Sequence, residues 1–233
     1  MKYLIRIAVV LILLSGTASL LTGQTLKERI DQAREIKVYF RNADIISKAN
    51  TNVEIATTIS ESGCENLKEK TPLPEVYTET LKQVIGLLNK GFNTTAFVAG
   101  KFSDINDLPL NSEGELNWLK LGELLTFFVS TSGAYYTRKQ PHESVKEHSL
   151  EVNSYLHIFA VSNGKIKELL DKFLLTVKSP VVKSNKCEDY AFFVKNFPLE
   201  SLAGPFETKL VAAVNDIIEK EMSKYDKAMK KKK

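Results

Sequence analysis

Apolar residues recur at helical spacing near the end of the chain, with polar residues between them. From Gly204 to Met229 the apolar positions are three or four residues apart: Val211, Val214, Ile218, Met222, Tyr225 and Met229. Such steps place side chains on one face of a helix. Pro205 has a fixed φ and lacks an N–H, so it suits the first turn of a helix. The pattern predicts a helix, called helix D, that begins at this proline.

A capping-box pair begins another periodic stretch nearer the N-terminus. Thr25 and Glu28 have the spacing at which each side chain accepts a hydrogen bond from the other residue's backbone N–H. Apolar residues follow at steps of three and four, which predicts helix A from about Leu26 to Ala49. A shorter apolar face, from Tyr77 to Leu88, predicts an additional helix.

Two more periodic stretches fill the middle of the chain. Ser112 and Glu115 repeat the capping-box pattern and predict the start of helix B. Apolar positions from Val145 to Val177 predict helix C, with a kink or local break at Asn163-Gly164 because glycine is a poor helix former.

The predicted connections between helices A, B, C and D are long, short and long. Helices joined by a short turn are antiparallel neighbours, whereas a long crossover allows the next helix to run parallel. The sequence therefore predicts an all-α fold, a long-chain four-helix bundle with up-up-down-down topology and an extra short helix in the A–B crossover. The bundle would occupy residues 25–229 as one domain.

The N-terminus has the features of a secretory signal peptide. Lys2 and Arg6 precede the apolar run Ile7–Leu14, and small residues follow. Residues 1–24 are predicted to be removed, which lowers the formal net charge from +4 to +2. The apolar run is short for a membrane span, so we expect a secreted, extracellular protein without membrane insertion. The basic tail at 230–233 is interpreted as a solvated terminus.

The chain contains two cysteines and one N-glycosylation sequon. In an oxidising compartment, Cys64 and Cys187 are expected to form a disulfide, and two buried thiols are the alternative. Asn93, in Asn93-Thr94-Thr95, is the predicted glycosylation site if the host is a eukaryote.

Catalytic motifs are absent from the sequence. His142, His148 and His157 do not have metal-ligand spacing, and no nucleophile or phosphate-binding motif occurs. Basic residues are interspersed with acidic ones, which argues against a nucleic-acid partner. We therefore expect a non-enzymatic monomer with no cofactor and no metal.

The segment Gly204 to Leu210, with Phe206 and Lys209 one turn apart, resembles the start of helix D in a group of interleukin-6-type cytokines. These are leukaemia inhibitory factor, ciliary neurotrophic factor, oncostatin M and cardiotrophin. The approach to helix B, from Asp107 to Val129, is also similar to that group. The resemblance implies that Phe206 and Lys209 bind a receptor of the leukaemia inhibitory factor type. Other faces would bind glycoprotein 130, and bringing the receptor chains together would start kinase signalling.

Three alternatives remain open at this point. Phe206 is also suited to close one end of the bundle as a hydrophobic staple. A growth-hormone or prolactin-like hormone would share the predicted topology. A secreted or periplasmic helical carrier would instead enclose an apolar cavity.

Overall fold

The structure is a computed structural model, and it describes residues 24–41, 55–60, 64, 70–71, 73–100, 125–139, 144–162 and 165–232. Within these ranges the chain forms a mixed sheet with helices packed against it. The strands are β1 (Ile36–Arg41), β2 (Ile55–Ser60), β3 (Lys70–Thr71), β4 (Phe97–Ala99), β5 (Leu125–Lys139), β6 (Lys146–Ser162), β7 (Lys165–Lys178) and β8 (Val182–Ser184). The helices are α1 (Leu26–Gln32), α2 (Glu75–Gly91), α3 (Tyr190–Asn196) and α4 (Ala203–Lys231), with a 3₁₀ turn at Leu199–Leu202.

The long antiparallel strands β5, β6 and β7 form the centre of the sheet. β6 pairs with β5 from residue 146 to residue 160 and with β7 from residue 151 onward. Two short strands, β1 and β2, pair in parallel with successive parts of β5. β4 extends the sheet beyond β1, β3 pairs with β2, and β8 pairs with the start of β6.

One face of the sheet, called the inner face, packs against the helices. Side chains alternate between faces along a strand, so alternate residues of β5 and β6 point to this side. The buried inner-face residues of these strands include Phe127, Val129, Tyr135, Leu150, Val152, Leu156 and Ile158. The helices complete the core with Tyr77, Leu81, Val84, Leu88, Phe206, Leu210, Val214, Ile217 and Ile218. The opposite side is called the outer face.

Two contacts fix α2 in the fold. The side-chain amide of Asn89 makes two hydrogen bonds with the backbone of Phe97 in β4. Its nitrogen donates to the carbonyl at 2.9 Å, and its oxygen accepts from the N–H at 3.0 Å. At the end of α2, a Cβ on Gly91 would lie 2.6 Å from side-chain atoms of Ile218 in α4. Glycine is therefore needed there so that the two helices can approach closely.

Two of the predicted helices are confirmed as helices. Helix D corresponds to α4, with Pro205 in its first turn, and the additional helix corresponds to α2. The Thr25–Glu28 capping box is also present, at the start of α1. Lys232 reaches Glu28 from the end of α4, and its hydrogen bond, together with that from the Thr25 backbone, lowers the pKa of Glu28 to about 2.

The all-α four-helix bundle is wrong. Helix A ends at Gln32, and the chain continues into β1. The stretch predicted as helix B is strand β5 from Leu125 onward, and residues 112–124 lie outside the described part. Helix C is the β6–β7 pair. Long strands that bond to their neighbours rule out an up-up-down-down bundle.

Candidate metal centre

A ladder of cross-strand pairs covers the outer face of β6 and β7. Tyr155 lies opposite Phe173, His157 opposite Asp171, and Phe159 opposite Glu168. These three pairs are called the outer ladder. Members of successive pairs on β6 are two residues apart, so all three side chains of that strand point to the same side.

A bulge in β7 brings the two acidic side chains of the outer ladder together. Glu168 and Asp171 are three residues apart and would point to opposite faces of a regular strand. The register with β6 shifts between Ile158 and Phe159, which leaves Leu169 without a paired residue. An extra, unpaired residue of this kind reverses the side of the sheet to which the residues beyond it point. Glu168 and Asp171 therefore lie on the same face as His157.

The ligand atoms of these three residues converge. The Nδ1 of His157 is 3.2 Å from Oε1 of Glu168 and 3.3 Å from Oδ1 of Asp171. One ligand atom from each residue lies within 4.8 Å of the others. Ligands about 2.1 Å from a zinc ion in tetrahedral geometry lie about 3.4 Å apart, so the spacing suits a shared ion.

Neighbouring rings orient the imidazole of His157. The rings of Tyr155 and Phe159 lie nearly parallel to it, with interplanar angles of 18° and 13° and centroids 6.5 and 6.0 Å away. Phe128 of β5 adds a tilted contact at 6.4 Å. These contacts restrict the plane of the ring, and the edge that carries Nδ1 is the one that faces the carboxylates.

The centre is open to solvent on its acidic side. The side chains of Glu168 and Asp171 are 45 % and 62 % exposed, whereas that of His157 is 27 % exposed. A hydrated ion can reach the carboxylates without a change in the fold. Without a metal, the same arrangement is explained by an Nδ1–H that donates to Glu168, with Asp171 beside it.

Two residues of the sheet form a different polar cluster around His148, which is fully buried. The imidazole Nδ1 is 3.0 Å from Oγ1 of Thr137, and Nε2 is 2.9 Å from Oγ of Ser184. Ser184 Oγ donates to the carbonyl of Lys186 at 3.0 Å, so Nε2–H is the tautomer that satisfies the cluster. Burial lowers the pKa of His148, against a smaller opposing effect of Glu188. Because His148 donates a hydrogen bond to Ser184, it cannot accept the hydroxyl proton of that serine. We therefore assign this cluster a structural role.

The residues predicted as a receptor-binding pair are separated by the fold. The ring of Phe206 is fully buried and meets Tyr77 edge-on, at a centroid distance of 5.1 Å. Lys209 is exposed, and its Nζ donates to the carbonyl of Thr176 at 2.9 Å. A ring in the core cannot contact a receptor, so the structure brings Phe206 and Lys209 into no common surface.

The other predicted sites have different outcomes. The disulfide between Cys64 and Cys187 is present, with the sulfurs 2.03 Å apart. Asn93 is exposed just after α2 and has a φ of 49°, a value that asparagine tolerates better than most residues. Its glycosylation stays a prediction.

These observations define the class of protein as a mixed α/β fold that contains a disulfide. Because such bonds persist in oxidising compartments, the protein is non-cytosolic. Among the described residues, no helix is long and apolar enough to cross a membrane.

Comparisons with known proteins give no family. No protein-family model matches the sequence, and the search of curated proteins finds no match. A solved structure of a neuraminyllactose-binding hemagglutinin homolog from Helicobacter pylori is similar over 85 % of this chain and 90 % of its own, with 12 % identity and a TM-score of 0.32. A hypothetical protein from Chlamydia trachomatis is similar over 80 % of this chain and 98 % of its own, with 10 % identity and a TM-score of 0.30. Likeness at this level carries no conclusion about function.

The interleukin-6-type resemblance is therefore wrong. That group consists of helical bundles, whereas this chain has a mixed sheet as its centre. The growth-hormone alternative and the helical carrier fail for the same reason. Receptor binding by Phe206 and Lys209 has no remaining support.

Sequence reasoning does not find the candidate metal centre, because its three residues come from two strands. The metal-binding motifs that a sequence reveals have their ligands close together along one element. Glu168 and Asp171 lie next to His157 only through the β6–β7 register and the bulge. The available signal was a pair of acidic residues three apart in a strand opposite a histidine.

Proposed function

We propose that this protein is a secreted metal-binding protein that holds one divalent transition-metal ion, represented by Zn²⁺, on the outer face of its sheet. His157, Glu168 and Asp171 are the ligands. The observation that carries the proposal is the convergence of Nδ1 with two carboxylate oxygens at 3.2 and 3.3 Å. The signal-peptide pattern at 1–24 and the disulfide support the secreted location.

The chemistry of the three donors favours a borderline transition metal. Imidazole suits zinc, copper, iron and nickel, whereas carboxylates also accept harder ions. One nitrogen and two oxygens match the mixed nitrogen and carboxylate sets found around zinc. Calcium and magnesium take oxygen ligands, so the imidazole selects against them.

Three protein ligands leave at least one coordination position for water or an outer molecule. The exposed carboxylate side of the centre provides access to that position. The proposal is a binding function of a monomer, and it includes no catalytic step. The domain predicted at residues 25–229 extends into the predicted tail at 230–233, since α4 ends at Lys231 and Lys232 bonds to Glu28.

Calorimetric titration with ZnCl₂ tests the proposal on the mature chain with its disulfide intact. We expect saturable binding of one ion per chain. Asp171→Asn and His157→Gln should each abolish most of the binding, because each removes one of three ligands. Asp216→Asn is the matched control, since Asp216 lies on α4 and pairs with Lys220.

Two results would overturn the proposal. One is the absence of saturable binding by the wild-type protein at neutral pH. The other is equal binding by wild type and Asp171→Asn, which would place the ion elsewhere. Either result would leave the contacts of His157 with the two carboxylates as polar contacts of the protein alone.

A further inference from the structure

Resting on the proposed metal function, we infer that the bound ion recruits a small oxygen-chelating molecule that carries an aromatic ring. The ring packs on Phe173, and the chelating oxygens complete the coordination of the metal held by His157, Glu168 and Asp171. The centre and the phenyl side chain together form one binding site.

Phe173 is unusual among the described residues because its aromatic side chain is largely exposed. It is 47 % exposed. The other large apolar residues that are exposed have no aromatic ring: Val76, Val181, Val194 and Met229. Its ring meets Tyr155 edge-on, with centroids 5.1 Å apart and an angle of 70°. The contact with Tyr155 restricts the Phe173 ring and leaves much of its surface available to a ligand.

The position of Phe173 places this surface beside the metal ligands. Asp171 and Phe173 are two residues apart on β7, and His157 and Tyr155, which lie opposite them, are two apart on β6. Same-face neighbours along a strand are about 7 Å apart. A ring joined directly to a chelating group has a length comparable to that spacing. A longer or branched molecule is not required.

The charges of the centre permit an anionic oxygen chelator. Two carboxylates balance the two positive charges of the ion when the imidazole is neutral, and the ion still has an open position. An oxygen anion bonds directly to the metal, while the ring gains an offset or edge-on contact with Phe173. The ligand class is therefore an aromatic hydroxamate, catecholate or hydroxy acid.

A matched pair of chelators tests the inference. Benzohydroxamate and acetohydroxamate have the same chelating group and differ in the ring. We expect benzohydroxamate to bind the Zn²⁺-loaded protein about tenfold more tightly, since an aromatic contact of this kind is worth about one factor of ten. In Phe173→Ala the preference should disappear while Zn²⁺ binding remains. Val181→Ala, a variant at an equally exposed apolar residue outside the ladder, should keep the preference.

Measuring the zinc content of each sample separates the possible failures. If the wild-type protein binds no Zn²⁺, the proposed function fails and this inference fails with it. If Zn²⁺ is bound but both hydroxamates bind equally, only the inference is overturned, and Phe173 is an isolated apolar side chain on the surface. A preference for benzohydroxamate that survives in Phe173→Ala, or that occurs without Zn²⁺, also overturns it.

Discussion

Phe206 packs edge-on against Tyr77, with ring centroids 5.1 Å apart, and this contact joins the start of α4 to the start of α2. The Tyr77 hydroxyl donates to the carbonyl of Leu199 at 2.6 Å, so the 3₁₀ turn is tied to the same point. Burial raises the pKa of Tyr77, which keeps the hydroxyl protonated as a donor. The pair therefore links three elements that cover the inner face of the sheet.

Removing the Phe206 ring should lower the stability of the whole domain. We expect Phe206→Ala to reduce the free energy of unfolding by about 3–5 kcal/mol, because a buried aromatic ring is lost and a cavity remains. Denaturant titration followed by circular dichroism measures the change. Lys209→Ala is the control, with an expected change of about 0.5 kcal/mol or less, since Lys209 is exposed. Wild-type stability in Phe206→Ala would show that the ring is not in the core.

His148 should make the stability depend on pH in mildly acidic solution. Its folded pKa is lowered by burial, and its unfolded pKa is near the ordinary value of about 6.5. Between these values the unfolded chain binds a proton that the folded chain does not. The free energy of unfolding is therefore unaffected by His148 above about pH 6.5. It decreases as the pH falls from there toward the folded pKa of His148, by at most about 1.4 kcal/mol per pH unit.

Unfolding free energies between pH 7.5 and pH 5.5 measure this dependence. His148→Gln cannot titrate in this range and should show a smaller slope than the wild-type protein, whatever its absolute stability. An unchanged slope in the variant would assign the pH dependence to other groups.

The disulfide should stabilise the fold by restricting the unfolded chain. Cys64 and Cys187 are separated by 123 residues in sequence. A loop of that length gives at most about 4–5 kcal/mol in the chain-entropy model. We expect the double variant Cys64→Ser, Cys187→Ser to lose stability up to that amount, measured by denaturant titration without reductant. Adding reductant should lower the stability of the wild-type protein and leave the double variant unchanged.

Helices α2 and α4 were predictable because each has one apolar face and one polar face. In α4 the core residues Leu210, Val214, Ile217 and Ile218 follow the helical period, and the residues between them are mostly exposed. The capping box at Thr25 was also a correct local signal. It identified where α1 begins, but the apolar residues beyond Gln32 belong to β1.

Strand β7 was mistaken for a helix because it contains two bulges. Its register with β6 shifts at two places, which leaves Leu169 and Leu174 without paired residues. Extra residues lengthen the apparent period, so apolar positions at Ile166, Leu170, Phe173 and Val177 have the spacing of a helix face. In the sheet, Leu170 and Phe173 point to opposite faces.

Strand β6 was missed for a different reason. Its inner face alternates regularly but includes the polar Ser154, whose hydroxyl donates to the carbonyl of Ser130 at 2.9 Å. Its outer face carries the aromatic Tyr155 and Phe159, so the strand lacks the apolar and polar alternation of a half-exposed strand. In the sequence, Asn163-Gly164 is a strong hairpin signal that a helical interpretation takes for a kink. The predicted kink lies outside the described residues.

Zinc should raise the thermal stability of the protein if the outer face is the binding site. A ligand that binds only the folded state at 100 times its dissociation constant adds about 2.7 kcal/mol to the free energy of unfolding. We expect scanning calorimetry to show a higher Tm with ZnCl₂ and a return to the original Tm with a chelator. Asp171→Asn should lose this shift, whereas Asp216→Asn should keep it. Asp171 contributes an oxygen next to His157, and Asp216 pairs with Lys220 instead. An equal shift in both variants would mean that the ion stabilises the fold from a different position, and the outer ladder would then lose its proposed role.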